Sequence, residues 1–366
     1  MMHIKFIPRK TPNKLMVYLM PVFAVLFSML VGGIIFTLLG YQGFAAVGEI
    51  FLTPLFDISR WEDLGIKAAP LILIGVGLSI CFRANVWNIG AEGQYIVGAL
   101  AGTGIALLTY ELQGWWILPL MCIMGALGAM AFAFIPAYLR THFNVNEILS
   151  SLMLNYAAIQ LLNYLMRGPW KDPDGFNFPQ TRIFNDSQVL PEAFPYSFMH
   201  MGVPMAFAIA LLTWFVLSRS IFGFQIRVSG EAPIAAHYGG FNEKRTIWLV
   251  LILAGGFAGL AGIFEASGAF QQLTPSFPVG YGYTAIIVAF LGRLNPLGII
   301  FAGIVMAVTY VGGELAQVNL GMPDSAAGIF QAIILFVLLA SDFLLKTTIK
   351  VEFQGGTEAK AEQEGN

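Results

Sequence analysis

Residues 15–39 form a run of 25 almost wholly apolar side chains, and no other feature constrains the fold of this chain as tightly. About 20 such residues suffice for a helix to cross the hydrocarbon of a bilayer. Hydrocarbon offers the peptide groups no hydrogen-bond partner, so a chain built from such runs must satisfy its backbone internally, as helices. Lys5, Arg9, Lys10 and Lys14 precede the run. The apolar core of a signal peptide is about 7–15 residues, so this longer stretch reads as an uncleaved first span. The basic end leads straight into the apolar helix, which argues against a mitochondrial presequence.

The remaining composition agrees. Of 366 residues, 57% are hydrophobic and 11% charged, where a soluble domain carries about a quarter charged. Further spans are expected near 65–82, 92–110, 115–139, 146–166, 202–218 and 246–269. Two short apolar runs follow, one from about Pro278 to Gly292 and one over 297–312, with Arg293-Leu294-Asn295-Pro296 as a tight interfacial turn between them. A last span covers about 325–345. The expected fold is therefore all-α, a polytopic helical membrane protein of about 10 transmembrane helices with both termini on one side.

The positive-inside rule orients it. With the N-terminus cytoplasmic, fourteen of the 19 Lys and Arg fall inside, leaving outside only Arg60, Lys67, Arg167, Lys171 and Arg182. The expected organisation is a cytoplasmic segment 1–14, a membrane domain 15–345 and a cytoplasmic tail 346–366. The tail is rich in Gly, Glu and Lys from Gln354, a composition that resists packing. Outside lie a segment at 40–65 with Glu49, Asp57, Glu62 and Asp63, and the largest hydrophilic insertion, 167–201. Five prolines in that insertion suit an ordered but irregular cap rather than a sheet.

Inside lies the loop 219–245, which holds a segment punctuated like a small helix. Glu231 and Pro233 suit a first turn, where a carboxylate favours the dipole and proline gives up no needed N–H. Ile234 and Tyr238 share a face at i,i+4, and Gly239-Gly240 supplies a left-handed stop. A pre-shaped helix on one side of a membrane protein suits docking to a partner.

Several chemistries find no support. There is no G-x-x-x-x-G-K-[ST] for nucleotide phosphates. Gly280-Tyr-Gly-Tyr-Thr-Ala285 fits G-x-G-x-x-A, but it has no strand before it and no acidic residue at the required spacing. His3, His142, His200 and His237 all fall at helix ends or in loops, so neither a metal nor a hydrolytic centre is expected, and no catalytic residue is assigned. Cys81 and Cys122 sit in apolar runs and read as small packing residues. A net charge of −2 says little about partners, and no nucleic-acid partner is expected.

Polar groups within spans face protein or water, because a charge at the bilayer centre costs about 2.5–3.5 kcal/mol on insertion scales. The segment from Arg83 to Gln94 carries Asn88, Glu92 and two glycines. It suits either a broken helix lining a cavity or a polar cytoplasmic turn. The helix beginning at Asn146 carries Ser150, Ser151, Asn155, Tyr156 and Gln160, a density that favours a pore-facing helix. Glu265 reads either as a relay or ligand contact or as an interfacial group near the outer face, and Glu314 as the outer end of its span. Gly255, Gly256, Gly259 and Gly262 read as ordinary close helix packing.

Three runs in order, Asn88-Ile-Gly-Ala-Glu-Gly-Gln94, Asn146-Glu-Ile-Leu-Ser-Ser-Leu-Met-Leu-Asn-Tyr156 and the loop from Arg227 to Arg245, resemble the permease subunits of bacterial ABC importers for nucleosides. That family is close to the ribose and branched-chain amino-acid permeases. Gly168-Pro-Trp-Lys-Asp-Pro173 and Leu190-Pro191 resemble the longer of two paired permeases. The resemblance implies a multi-pass protein of the bacterial cytoplasmic (inner) membrane that is not itself an enzyme and binds no cofactor. A separate ATPase subunit would use ATP and Mg, a second homologous permease would complete the path, and a substrate-binding protein or lipoprotein would deliver a nucleoside. Gly230, Glu231, Pro233, Ala235, Ala236, Tyr238 and Gly240 would couple to the ATPase, and Asn88, Glu92, Asn155 and Tyr156 would line or gate the path. A permease for a simple sugar or other small solute, and a stand-alone secondary transporter, are the alternatives.

Overall fold

The protein was analysed as a computed structural model that describes residues 2–8, 14–323 and 325–353, with side chains over 19–323 and 325–340. The chain opens with helix α1 (Lys14–Leu38), then two short helices, α2 (Gly43–Phe51) and α3 (Thr53–Phe56). Long helices follow: α4 (Trp61–Arg83), α5 (Ala91–Leu108), α6 (Ile117–Phe143), α7 (Glu147–Arg167) and α8 (Gly202–Arg219). Next come α9 (Ile221–Glu231), α10 (Pro233–Tyr238), α11 (Glu243–Glu265), α12 (Tyr281–Leu291), α13 (Pro296–Leu320) and α14 (Ala326–Lys346). Among the described residues, one element departs from an all-helical chain: β1 (Met2–Pro8) pairs antiparallel with β2 (Thr347–Phe353), so the two terminal segments meet. The Gly- and Glu-rich tail from Gln354 lies outside the described residues.

Seven of the described helices are long and apolar enough to cross a membrane. α5 falls outside that set although it has 18 residues, because its first turn carries Glu92 and Gln94. The expected span from Pro278 is instead the 11-residue α12, which begins only at Tyr281. At 1.5 Å per residue it reaches about 16 Å, half the hydrocarbon thickness. The following helix is longer than the expected 297–312, because Glu314, Gln317 and Asn319 continue it to a left-handed stop at Gly321.

The layering follows from where each helix carries apolar groups. α4 is apolar all round and buried without a break from Ala68 to Phe82, as a helix with no polar face must be. α11 lies beside it. By contrast α1 turns Leu19, Val22, Phe23, Leu26, Leu30 and Ile34 outward, an apolar surface suited to lipid. α5, α6 and α11 touch through small residues: a Cβ on Gly98 would overlap the backbone of Gly259, and one on Gly259 would come within 2.6 Å of the Gly125 carbonyl oxygen. Van der Waals contact at this range substitutes for the hydrophobic drive that lipid cannot provide between helices.

The turns divide between two ends. At one end Asn146, Ser220, Asn242 and Asn295 each cap the next helix through a side-chain oxygen. Arg140 pairs there with Glu147 across the α6–α7 turn. At the other end Lys67 pairs with Glu314 at 3.1 Å, and the Asn319 amide donates to Glu49. Residues 167–201 form an irregular cap over this second end. α11 runs into a π-helical turn, Ala266–Phe270, whose wider winding leaves carbonyls free. The cap takes them: Leu190 N donates to Ser267 O and Phe184 N to Gln271 O. His200 closes the cap, buried against Gly202 and Gly268, and burial pushes its imidazole down to about 4.

Two outcomes follow from this packing. Gly98→Leu forces α5 from α11 and is expected to cost at least about 1–3 kcal/mol, read as a lower melting temperature in detergent; an unchanged one would contradict the contact. His200 in the unfolded chain protonates near 6.5 but in the fold only near 4. Unfolding therefore takes up a proton as pH falls between these values, and stability should drop across that window. His200→Gln should flatten the dependence in a pH series of thermal melts.

Candidate functional site

The chain between α4 and α5 is not helical, and it alternates between exposed residues, Asn85 and Trp87, and buried ones. Asn85 turns it with a positive φ of 56°. Ala84, Val86 and Asn88 are buried. Asn88 and Gln94 face each other as a reciprocal amide pair, Nδ2 donating to Oε1 at 2.9 Å and Nε2 to Oδ1 at 3.2 Å. Asn88 Oδ1 also accepts from Gly90 N at 3.1 Å. The segment is mixed: the Asn88 and Gln94 amides are spent on one another, while Asn85 is exposed and lines a cavity with Arg83 and Arg227.

Glu92 is 1% exposed. Its Oε1 accepts from Gly280 N at 3.0 Å and its Oε2 from Gly282 N at 2.6 Å. The carboxylate thus caps α12 from another helix while lying in the first turn of its own. A negative charge at two helix N-termini is where the backbone dipoles favour it. The match requires glycine. Gly280 has φ +84°, and a Cβ on Gly282 would overlap the backbone of Glu92.

α7 supplies the third side. Asn155 is fully buried, its Oδ1 accepting from Gly93 N at 2.8 Å while Nδ2 donates to Ile89 O at 2.9 Å and to the Tyr283 hydroxyl at 3.1 Å. Ser151 Oγ accepts from Ile89 N at 3.3 Å. Gly90 and Gly93 admit this approach: a Cβ on either would lie 2.8 Å from Ser151 Cβ or Asn155 Oδ1. Asn88, Glu92 and Asn155 are therefore brought together, in one buried network joining α5, α7 and α12.

Tyr156 is not part of it. One residue along the helix is a rotation of 100°, which carries Tyr156 off the buried stripe and leaves it 58% exposed. The buried stripe of α7 runs Ser151, Asn155, Ala158, Leu162, Met166. The outward one runs Tyr156, Gln160, Asn163, Arg167, with the same spacing. Gln160, Asn163 and Arg167 line a shallow cavity with Tyr164. Tyr283, 38% exposed at the start of α12, is a further outward group. It lies in the Gly280–Ala285 run, which the sequence rules out as a nucleotide motif and to which it assigns no other role. The signal was the Gly-x-Gly opening of α12, which serves a carboxylate and not a nucleotide phosphate.

Glu265 ends α11, buried, with Oε1 3.5 Å from the Tyr281 hydroxyl. In the loop segment, Glu231 is the last residue of α9 rather than the first turn of the next helix. The extended φ of Ala232, −144°, breaks the two apart, and Pro233 opens α10. Gly240 takes φ +79°, which only glycine adopts freely, and Ala236 is buried. Ile234 and Tyr238 stand 76% and 87% exposed, an apolar pair on the surface of the described residues.

Residues 62–339 match the family model described as the permease component of branched-chain amino acid transport systems. The chain belongs to this permease family. Among its relatives, a glucose ABC transporter permease protein of Haloferax volcanii is 34% identical over 98% of this chain and 97% of that protein. A guanosine ABC transporter permease protein of Bacillus subtilis is 27% identical over 88% of this chain and 93% of that one. A nucleoside ABC transporter permease protein of Lactococcus lactis is 25% identical over 92% and 94%. The permease is thus a multi-pass membrane protein of a transporter family.

The two faces of α7 predict opposite results for adjacent residues. Asn155→Leu leaves Gly93 N–H and Ile89 C=O unpaired at about 1–3 kcal/mol each, and should lower both folded yield and melting temperature. Tyr156→Leu should leave both near wild type. Equal stability of the two variants would contradict the network.

Proposed function

We propose that this permease forms one side of the membrane path of an ABC importer for nucleosides, working by alternating access under a separate ATPase. One observation carries the reading: in a chain of a permease family, a membrane-length helix exposes Tyr156, Gln160 and Arg167 and half-exposes Asn163, beside the apolar Met153 and Leu161. Lipid penalises such a face, so it borders water or a second subunit. Amides, a phenol and a guanidinium suit a polyhydroxylated solute carrying a base, which can hydrogen-bond and stack in passing.

In this reading α1, α4, α5, α6, α7, α8, α11, α12, α13 and α14 are the ten membrane segments. α12 covers half the thickness and residues 271–280 the rest. The end that bears Arg83, Arg140 and Arg227 is cytoplasmic, as are both termini, in a bacterial inner membrane. The cap 167–201 receives a binding protein or lipoprotein, and a second homologous permease faces α7. The ATPase, which alone uses ATP and Mg, docks at Gly230, Glu231, Pro233, Ala235, Ala236, Tyr238 and Gly240, with the exposed Ile234 and Tyr238 as its apolar seat. Asn88, Glu92 and Asn155 act on the path indirectly, by fixing α12, and Tyr156 and Tyr283 meet the solute. The 34% identity to a glucose permease protein favours a hexose as the second reading.

Reconstitution tests this. Vesicles holding the full complex should concentrate labelled nucleoside with ATP, and vesicles holding this chain alone should not. Excess unlabelled nucleoside, but not glucose, should abolish uptake; the reverse result would assign a hexose. Gln160→Leu with Asn163→Leu should cut uptake at least tenfold without loss of folded protein. Uphill uptake by the chain alone would overturn the reading in favour of a secondary transporter.

A further inference from the structure

α12 is held at both ends, and its second attachment leads to the loop 219–245. The last turn of α9 lies directly on the end of α4: a Cβ on Gly230 would overlap the carbonyl oxygen of Arg83 and come within 3.1 Å of the Ala84 carbonyl carbon. Arg83, in turn, donates from Nε to Leu294 O at 2.8 Å. Leu294 belongs to a tight turn in which Arg293 and Leu294 both take φ +55°. That turn is bonded back onto α12, Leu294 N to Ala289 O at 2.8 Å and Arg293 N to Phe290 O at 2.9 Å. Aromatic stacking runs alongside, with Phe82 5.3 Å and Trp87 6.0 Å from the Phe290 ring.

At its other end α12 meets the Glu92 carboxylate through Gly280 and Gly282, and carries Tyr283 into hydrogen-bond contact with Asn155. Eleven residues of helix, bonded at both ends, move as one body. Non-glycine residues at positive φ resist further twisting, since their alternatives are sterically poor. The turn therefore transmits displacement instead of absorbing it.

We propose that Arg83 is a positioning residue for transport: it hands movement of the α9–α10 segment to α12, and so to Tyr283 at the path. Gly230 provides the seat and the guanidinium the grip. Arginine suits the task because its planar fork fixes the direction of the Nε–H, which the flexible ammonium of lysine does not. The inference rests on the proposed reading that the α9–α10 segment docks the ATPase. It goes beyond that reading by naming the residue that carries the movement inward.

The test uses the whole importer in proteoliposomes, with wild-type, Arg83→Gln and Arg83→Lys forms of this chain. Three quantities are read: ATPase retained in the complex, solute imported per ATP hydrolysed, and the nucleotide-dependent change in thiol labelling of Val279→Cys, which lies just before α12. The expected result for Arg83→Gln is full ATPase retention, hydrolysis within twofold of wild type and import per ATP reduced at least tenfold, with KM for solute unchanged. The labelling change at Val279→Cys should disappear, and Arg83→Lys should restore part of both. Unchanged import per ATP, or a labelling change that persists in Arg83→Gln, would overturn the strut while leaving the docking reading standing. Loss of import only in step with loss of assembled complex would overturn it too. A wild-type complex that retains no ATPase would remove the docking reading and the strut together.

Discussion

A helix that starts inside packed protein has N–H groups and no water to receive them, and the bonds that Gly280 N and Gly282 N donate to the Glu92 carboxylate answer that problem. α12 exists as a separate half-length helix only because that carboxylate is there. The charge is tolerable in turn only because two backbone donors and the dipoles of two helices face it. Each side of the contact is expensive alone and stable together. The Asn88–Gln94 pair and the three bonds of Asn155 extend the same logic to the non-helical stretch before α5. The buried part of this broken backbone is held by side-chain bonds from Asn88, Ser151 and Asn155.

The scaffold that carries the contact is built by a different force. Small residues at Gly98, Gly125 and Gly259 let α5, α6 and α11 approach until their backbones touch. That approach places the Glu92 oxygens where they meet the amides of Gly280 and Gly282. Close packing and buried polar bonding are thus coupled: the glycine seam sets the position of the carboxylate, and the carboxylate sets the position of α12.

Much of this was legible in the sequence, and the rest was hidden for physical reasons. Apolar runs locate most of the long helices, and Asn146 marks where α7 begins. The length of α12 was hidden because Phe277 and Pro278 are as apolar as a span, while the turn at Gly280 that ends the irregular stretch depends on a carboxylate 188 residues earlier. Glu231 misled because a carboxylate followed by proline suits the start of a helix, whereas here it closes one helix before the break at Ala232. The polar density of α7 was visible, but density carries no direction. Asn155 and Tyr156 look alike as neighbours in a row of letters, and 100° of rotation assigns one to the interior and the other to the surface.

That rotation separates two kinds of polarity. The buried stripe of α7 is tied to backbone donors and acceptors that any member of the fold must satisfy, so changing it disturbs α5 and α12 whatever is carried. The outward stripe, Tyr156 to Arg167, bonds locally, Asn163 Nδ2 donating to Ile159 O, so changing it should leave α5 and α12 in place. Relatives at 25–34% identity bear the names of glucose, guanosine and nucleoside permease proteins, and cover nearly the same length as this chain. A fold in which the interior network is fixed and the outward face is loose accommodates that spread. A permease must also release what it carries, so a row of separate, partly hydrated hydrogen-bonding groups serves passage better than a closed pocket. Solute preference should therefore be sought on the outward face of α7 and at Tyr283, and not among Asn88, Glu92 and Asn155, whose bonding capacity is already spent on holding the helices in place.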